Sequence, residues 1–340
     1  MKKLLSALAL ATSVVTPLAN AADEVNIYSF RQEFLIAPLL EAFTEQTGIK
    51  ANVVFAKKGL LQRIKHEGRN SPADVLLTSD IGPLYDATTM GILQPIDSDV
   101  LDQVIPDNFR QPDNLWYGLT SRARIVYASK DRVDPSELTS YEELADPKWK
   151  GRICTRSGKH TYTLSLISSM IAARGEEYTE TWLKGVKDNL ARKPQGNDRG
   201  QVKAIKEGVC DLAIGNTYYF GKMLTNTEQP EQQEWAKSVN LIFPNQNDRG
   251  AHLSISGAGV TKYAPHKEEA IKLIEFLGSV EAQEIYAQAN YEFPVRENVK
   301  RDPLIDEYMG DFKADNISLQ TIASLRATAA RLVDKVNFDG

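Results

Sequence analysis

Residues 25–56, VNIYSFRQEFLIAPLLEAFTEQTGIKANVVFA, read as strand, helix and strand in succession. Val25 to Phe30 is the first strand, Leu35 to Gln46 the helix, closed by Gly48, and Ala51 to Ala56 the second strand. Going outward, Leu60 to His66 reads as a helix stopped by Gly68. Asp74 to Thr78 is an apolar run of the kind a strand buried on both faces carries. A β-α-β-α-β order implies a mainly parallel sheet covered by helices on both sides, which places the chain in the α/β class.

Further along, Leu119 to Ser129 (LTSRARIVYAS) is long for one strand and holds Arg-Ala-Arg at its middle. It reads as a segment crossing from a first lobe into a second. There the alternation resumes, with a strand at Gly151 to Arg156, helices at Thr163 to Ala173, Glu180 to Leu190 and Gln201 to Glu207, and a strand at Asp211 to Gly215. Leu253 to Val260 (LSISGAGV), rich in small residues, reads as a second crossing. A helix at Lys267 to Leu277 then returns to the first lobe, and one C-terminal helix, about Leu319 to Val336, is expected on the second. The lobes are expected at 22–122 with 253–297 and at 123–252 with 298–340. Two such lobes leave a cleft at the carboxyl ends of their sheets, where ligands of open α/β sheets bind and around which hinges close.

The N-terminus reads as an export signal. Lys2 and Lys3 precede the apolar stretch Leu4 to Val15, and Ala19-Asn20-Ala21 has the small-x-small form of a cleavage site. That stretch is shorter than the roughly 20 residues a bilayer needs. Cleavage is expected after Ala21, with no lipobox cysteine behind it. The formal charge is −5, and loss of Lys2 and Lys3 takes it to −7. Such a balance argues against nucleic acid or an anionic membrane as partner. The two cysteines, Cys154 and Cys210, invite a disulfide in an oxidising compartment and would be free thiols in a reducing one. Neither belongs to a CxxC motif or a zinc-spaced cluster.

Binding groups belong just after strands, where loops face the cleft. Three such places are Tyr28-Ser29-Phe30-Arg31-Gln32-Glu33, Ser157-Gly158-Lys159-His160-Thr161-Tyr162, and Gly215-Asn216-Thr217-Tyr218-Tyr219-Phe220-Gly221. Asn216 and Thr217 are good N-cap residues, which puts Tyr218 and Tyr219 at a helix N-terminus. The positive end of the helix dipole favours an anion there. An ordinary phenol, with a pKa of about 10, is neutral at pH 7, but a trivalent cation can displace its proton. Tyr162 stands at the start of its own helix in the same way. By residue type alone, most tyrosines are packing residues with a tethered hydroxyl.

The chain resembles the periplasmic ferric-iron-binding proteins of bacterial ABC importers over essentially all of its length after the signal. It is most similar to the subgroup with a tyrosine-dominated site. The stretches that carry the resemblance are VNIYSFRQ from Val25, NSPADVLLT from Asn70, WYGLTSRARIVYASKDRV from Trp116, ELADPKWKGRICTRSG from Glu143, ARKPQGNDRGQVKAIKEGVCDLAIGNTYYFGK from Ala191 and ISGAGV from Ile255. The resemblance implies a two-lobed solute-binding fold in the periplasm and Fe³⁺ as cargo on Tyr162, Tyr218 and Tyr219. It also implies an inner-membrane permease with its ATPase as partners, and no enzymatic turnover. We expect the protein to act as a monomer. Arg31 and Arg122 fall where some relatives hold a synergistic anion such as carbonate. Arg124 lies on the same strand face as Arg122, so alternation alone does not separate them.

The first loop departs from the pattern. Where some of the subgroup carry His-Tyr, this chain has Gln32-Glu33. Gln32 is a poor ferric ligand, and Glu33 is either a hard oxygen donor or a solvated helix-start carboxylate. Where the related histidine–glutamate subgroup has a glutamate, Ser79-Asp80 stands instead. Tyr28 is open between a cleft hydrogen-bond partner and a core aromatic, and His160 is a candidate neighbour of Tyr162. Two other functions compete. The same fold can hold a small organic ligand such as a polyamine or a phosphorylated compound. A secreted hydrolase finds no G-x-S-x-G and no H-E-x-x-H to support it.

Overall fold

A computed structural model describes residues 23–340. The signal segment and its cleavage site lie outside the described residues. Nine strands form the framework: β1 (Glu24–Ser29), β2 (Lys50–Phe55), β3 (Val75–Thr78), β4 (Tyr117–Ser129), β5 (Ile153–Cys154), β6 (Leu212–Asn216), β7 (Val239–Ile242), β8 (Leu253–Val260) and β9 (Phe293–Pro294). Their order is β2-β1-β3-β8-β4-β6-β5, with β7 and β9 also on β4. The chain folds as two α/β lobes, and β4 joins the two halves.

The register of β4 explains the division. From Tyr117 to Ala123 it pairs antiparallel with β8, from Ala258 to Leu253. From Arg124 to Ala128 it pairs with β6, from Asn216 to Leu212. One strand thus runs through both sheets and changes partner between Ala123 and Arg124. All thirteen of its residues are buried, as a strand covered on both faces must be. The small residues of β8 have a steric cause. A Cβ on Gly257 would lie 2.6 Å from the Tyr117 carbonyl oxygen, and one on Gly259 equally close to that of Leu115.

The first lobe packs on two faces. Val25, Ile27, Val75 and Leu77 meet the helices Ala37–Thr47 and Lys267–Leu277 on one side. Tyr28, Leu76 and Ile255 meet the helices Leu60–Glu67 and Ile81–Thr89 on the other. In the second lobe, Val126, Ile153, Leu212 and Ile214 pack under Thr161–Arg174 and Glu176–Asp188, and Tyr127 and Ala213 under Asp198–Lys206.

Several expected boundaries change. The first helix begins at Ala37, after a 3₁₀ turn over Glu33–Leu35. The strand expected over 151–156 keeps only Ile153 and Cys154 in ladder pairing. The single C-terminal helix is two, Leu319–Ser324 and Arg326–Lys335, broken at Leu325. The break has a packing reason. Leu319 and Ala323 join the first lobe's core, whereas Ala329, Leu332 and Val333 join the second's. A single straight helix on the second lobe alone would leave the first set without partners.

Cys154 and Cys210 form a disulfide, 56 residues apart, that ties β5 to the loop before β6. Closing a loop of that length is worth about 4 kcal/mol in the chain-entropy view. Replacing both cysteines with alanine should therefore lower urea stability by an amount of that order. An unchanged unfolding midpoint would mean that the bridge constrains nothing that the fold does not already constrain.

Candidate functional site

The element that carries Tyr218 and Tyr219 is held from beneath by β4. Where β6 ends, the Thr217 N–H donates to the Ala123 carbonyl at 3.1 Å. The Tyr127 hydroxyl donates to the Asn216 carbonyl at 2.7 Å. The helix Tyr218–Leu224 starts immediately afterwards, so Tyr218 and Tyr219 are its first two residues. The expected cap differs. Thr217 is already helical and makes no side-chain cap, and the Asn216 amide oxygen accepts from Arg124 instead, at 3.0 Å. The helix is fixed rather by its underside. A Cβ on Gly221 would fall 2.3 Å from the Tyr291 ring, so only glycine lets that aromatic lie against it.

Tyr162 enters from the helix Thr161–Arg174. Its N-cap is His160, whose Nδ1 accepts the Tyr162 N–H at 3.2 Å. The two rings meet edge to face at 4.8 Å. Burial, aided by Arg156 and Arg124, pushes the His160 imidazole down to about 3. It is therefore a neutral cap across the working pH range.

The three phenols converge. The hydroxyls of Tyr162 and Tyr218 lie 3.5 Å apart, and the rings of Tyr218 and Tyr219 lie 4.2 Å apart between centroids, tilted by 31°. Part of each ring stays open to the cleft. Burial pushes the Tyr218 phenol well above its ordinary value. The neighbouring phenols reinforce this, and Arg122 opposes it. Burial, with Tyr162 and Asp198, brings Tyr219 to about 12. These two phenols are protonated at neutral pH unless a strongly polarising cation displaces the proton. Among the described residues, no group of three His, Cys, Asp or Glu side chains is placed to hold a metal ion.

Guanidinium groups surround them. Those of Arg122, Arg124 and Arg156 lie 5.5, 5.9 and 5.4 Å from the Tyr162 ring centre. Tertiary structure separates the two β4 arginines that alternation could not. Arg124 donates to Asp198 at 2.7 Å, and Arg156 reaches the other oxygen of the same carboxylate at 3.0 Å. Arg122 points its donors toward the first lobe, to the Ser79 carbonyl and, at 2.7 Å, the Ser256 hydroxyl. Arg31 also donates to Ser256, at 2.6 Å, and is gripped by Glu292 on two nitrogens, at 2.6 and 3.3 Å. Burial works against the Arg31 charge, but Glu292 more than offsets it and the pKa rises. The Nε groups of Arg31 and Arg122 are buried and have no hydrogen-bond partner among the described residues.

The lobes also touch beside Tyr162. Asp80 caps the first-lobe helix Ile81–Thr89 and accepts the Thr161 hydroxyl at 2.9 Å. Arg326 donates to that same hydroxyl oxygen at 3.1 Å.

Residues 70–315 match the family model of the bacterial extracellular solute-binding proteins. The chain belongs to this family. Among relatives, iron uptake protein A1 of a Synechocystis strain is 46% identical over 93% of this chain and 88% of its own length. Of solved structures, the apo ferric ion-binding protein A of Pasteurella haemolytica is 47% identical with a TM-score of 0.88, over 94% of this chain and 99% of that one. A Trichodesmium protein in complex with iron and citrate ligands is 44% identical at the same TM-score, over 93% and 99%.

Not every residue expected at the site of this solute-binding protein reaches it. Tyr28 is a core residue whose hydroxyl donates to Glu67 at 3.1 Å and whose ring lies under Arg63. Gln32 and Glu33 are exposed, and Glu33 opens the 3₁₀ turn, which is the solvated helix-start role. Sequence reading missed Glu292, Ser256, Asp198 and Arg156. Glu292 meets Arg31 across 261 positions, and no local pattern signals such a pair.

Asp198 is fully buried between two arginines. Removing its charge strands a buried guanidinium, which costs about 3–5 kcal/mol. Asp198→Ala should lose stability on that scale in urea unfolding. A loss below about 1 kcal/mol would mean that water already reaches the pair.

Proposed function

We propose that this protein binds ferric iron in the periplasm and delivers it to the permease and ATPase of an ABC importer. The observation that carries the reading is the meeting of three phenols, those of Tyr162, Tyr218 and Tyr219, among buried arginines. Hard trivalent iron prefers anionic oxygen donors, and three phenolates would balance its charge. The names of the relatives, iron uptake protein and ferric ion-binding protein, support the same cargo.

Arg31 and Arg122 would hold a synergistic anion, carbonate or bicarbonate, beside the iron. Their orphaned Nε groups support this, because a buried N–H without a partner is costly and an oxyanion would satisfy it. Arg124 also leaves Nε and Nη2 without partners, but Asp198 already balances its charge, and it is not counted among the anion's donors. The lobes would be 22–122 with 253–297 and 123–252 with 298–340, except that Leu319 and Ala323 side with the first. Opening between them would release the cargo.

Iron loading should give a visible phenolate-to-iron charge-transfer band. The Tyr218→Phe, Tyr219→Phe double variant should lose the band and bind far more weakly than the roughly 10- to 100-fold cost of second-shell changes. If affinity and colour survive the double variant, the phenolate site is wrong.

Proton linkage gives a separate check. Because burial holds the phenols of Tyr218 and Tyr219 protonated, iron must displace their protons, and acid competes with iron. Apparent affinity should fall with falling pH, by up to about tenfold per pH unit for each proton released. Titration against a chelator of known proton dependence between pH 6 and 8 should give a slope of at least two. A slope near zero would exclude phenol ligation.

A further inference from the structure

The buried carboxylate of Glu292 has no place in the reading above, yet it occupies the centre of the arginine pair. It follows Tyr291, which ends the helix Val280–Asn290 in a left-handed turn (φ 56°) and lies against the tyrosine-bearing helix at Gly221. Glu292 is 3% exposed. Besides its two-point grip on Arg31, it accepts from the Thr120 hydroxyl of β4 at 3.1 Å and stands 3.8 Å from Arg122. Both arginines share Ser256, so the carboxylate and the two guanidinium groups form one compact unit of net charge +1. Lys222, half-buried on the tyrosine helix, also faces Glu292.

We propose that Glu292 sets the charge of the anion accepted with iron, admitting a dianion and disfavouring a trianion. The inference rests on the ferric reading. Charge, not shape, is the lever. A carboxylate fixed between the two arginines repels each added negative charge on the anion, while its hydrogen bonds to Arg31 and Thr120 stop it from swinging away. A unit charge at about 5 Å in such surroundings changes affinity on the order of 10- to 100-fold.

Malate and citrate are suitable probes, since both are α-hydroxycarboxylates and differ by one carboxylate. Their affinities for the iron-loaded protein are read from the charge-transfer band at pH 8. Glu292→Gln, nearly isosteric, should raise the citrate-to-malate affinity ratio by about 10- to 100-fold over wild type. Arg31→Gln should lower the ratio, because Arg122 alone then opposes Glu292 and the unit carries no net charge. The double variant Arg31→Gln with Glu292→Gln restores the net charge and should return the ratio to near the wild-type value.

Equal ratios in Arg31→Gln and in the double variant overturn the proposal. That comparison holds even if Glu292→Gln alone fails to fold. An unchanged ratio in folded Glu292→Gln also overturns it, while the iron site stands. A wild-type protein with no band under either anion sinks the ferric reading itself, and this inference with it.

Discussion

The fold depends on a single strand that is shared between two sheets. β4 pairs with β8 on one side of Ala123 and with β6 on the other, and it is buried throughout. Every backbone group in such a strand must be paired, so neither lobe can shift along it without breaking a ladder. The cleft therefore opens at a fixed place. The residues that flank the change of partner, Arg122 and Arg124, are delivered to it by the same hydrogen bonds that hold the lobes together.

Two residues apart on one strand, those arginines meet different fates. Arg124 is locked to Asp198, with Arg156 on the far side of the same carboxylate, beneath Tyr162. Arg122 faces Ser79, Ser256 and the Arg31–Glu292 pair. Buried ion pairs seldom stabilise a fold in proportion to their number, because desolvation consumes most of the attraction. Their value here is positional. They fix the guanidinium groups at set places in a low-dielectric cleft. Burial raises the phenols of Tyr218 and Tyr219, so both keep their protons at neutral pH.

Much of this was legible in the chain. The strand–helix alternation from Val25 to Thr78 gave the first sheet, because apolar runs and stop glycines are local signals. The length of LTSRARIVYAS marked the crossing strand, and the positions of Tyr162, Tyr218 and Tyr219 just after β-elements marked the cleft. The broken C-terminal helix was not legible. Leu319 to Val336 is continuous as a helical pattern, and the break at Leu325 reflects two cores that only packing reveals. The cap at Thr217 failed for a similar reason: its backbone is held by Ala123, and its hydroxyl makes no cap.

By itself the sequence determined most of the elements and the residue types able to carry a hard cation, since these depend on neighbours within a few positions. Tertiary structure alone decided which charges are already spent. Glu292 lies 261 residues from Arg31 and Asp198 lies 74 from Arg124. Electrostatic pairing acts through space, and at such separations the chain's order carries no information about it. Tyr28, in the same first loop as Arg31, was turned to the core by the alternation of β1, while Gln32 and Glu33 stayed in solvent. What the cleft then presents is three phenols and buried guanidinium nitrogens without partners among the described residues, on Arg31 and Arg122 toward the first lobe and on Arg124 and Arg156 beside Tyr162.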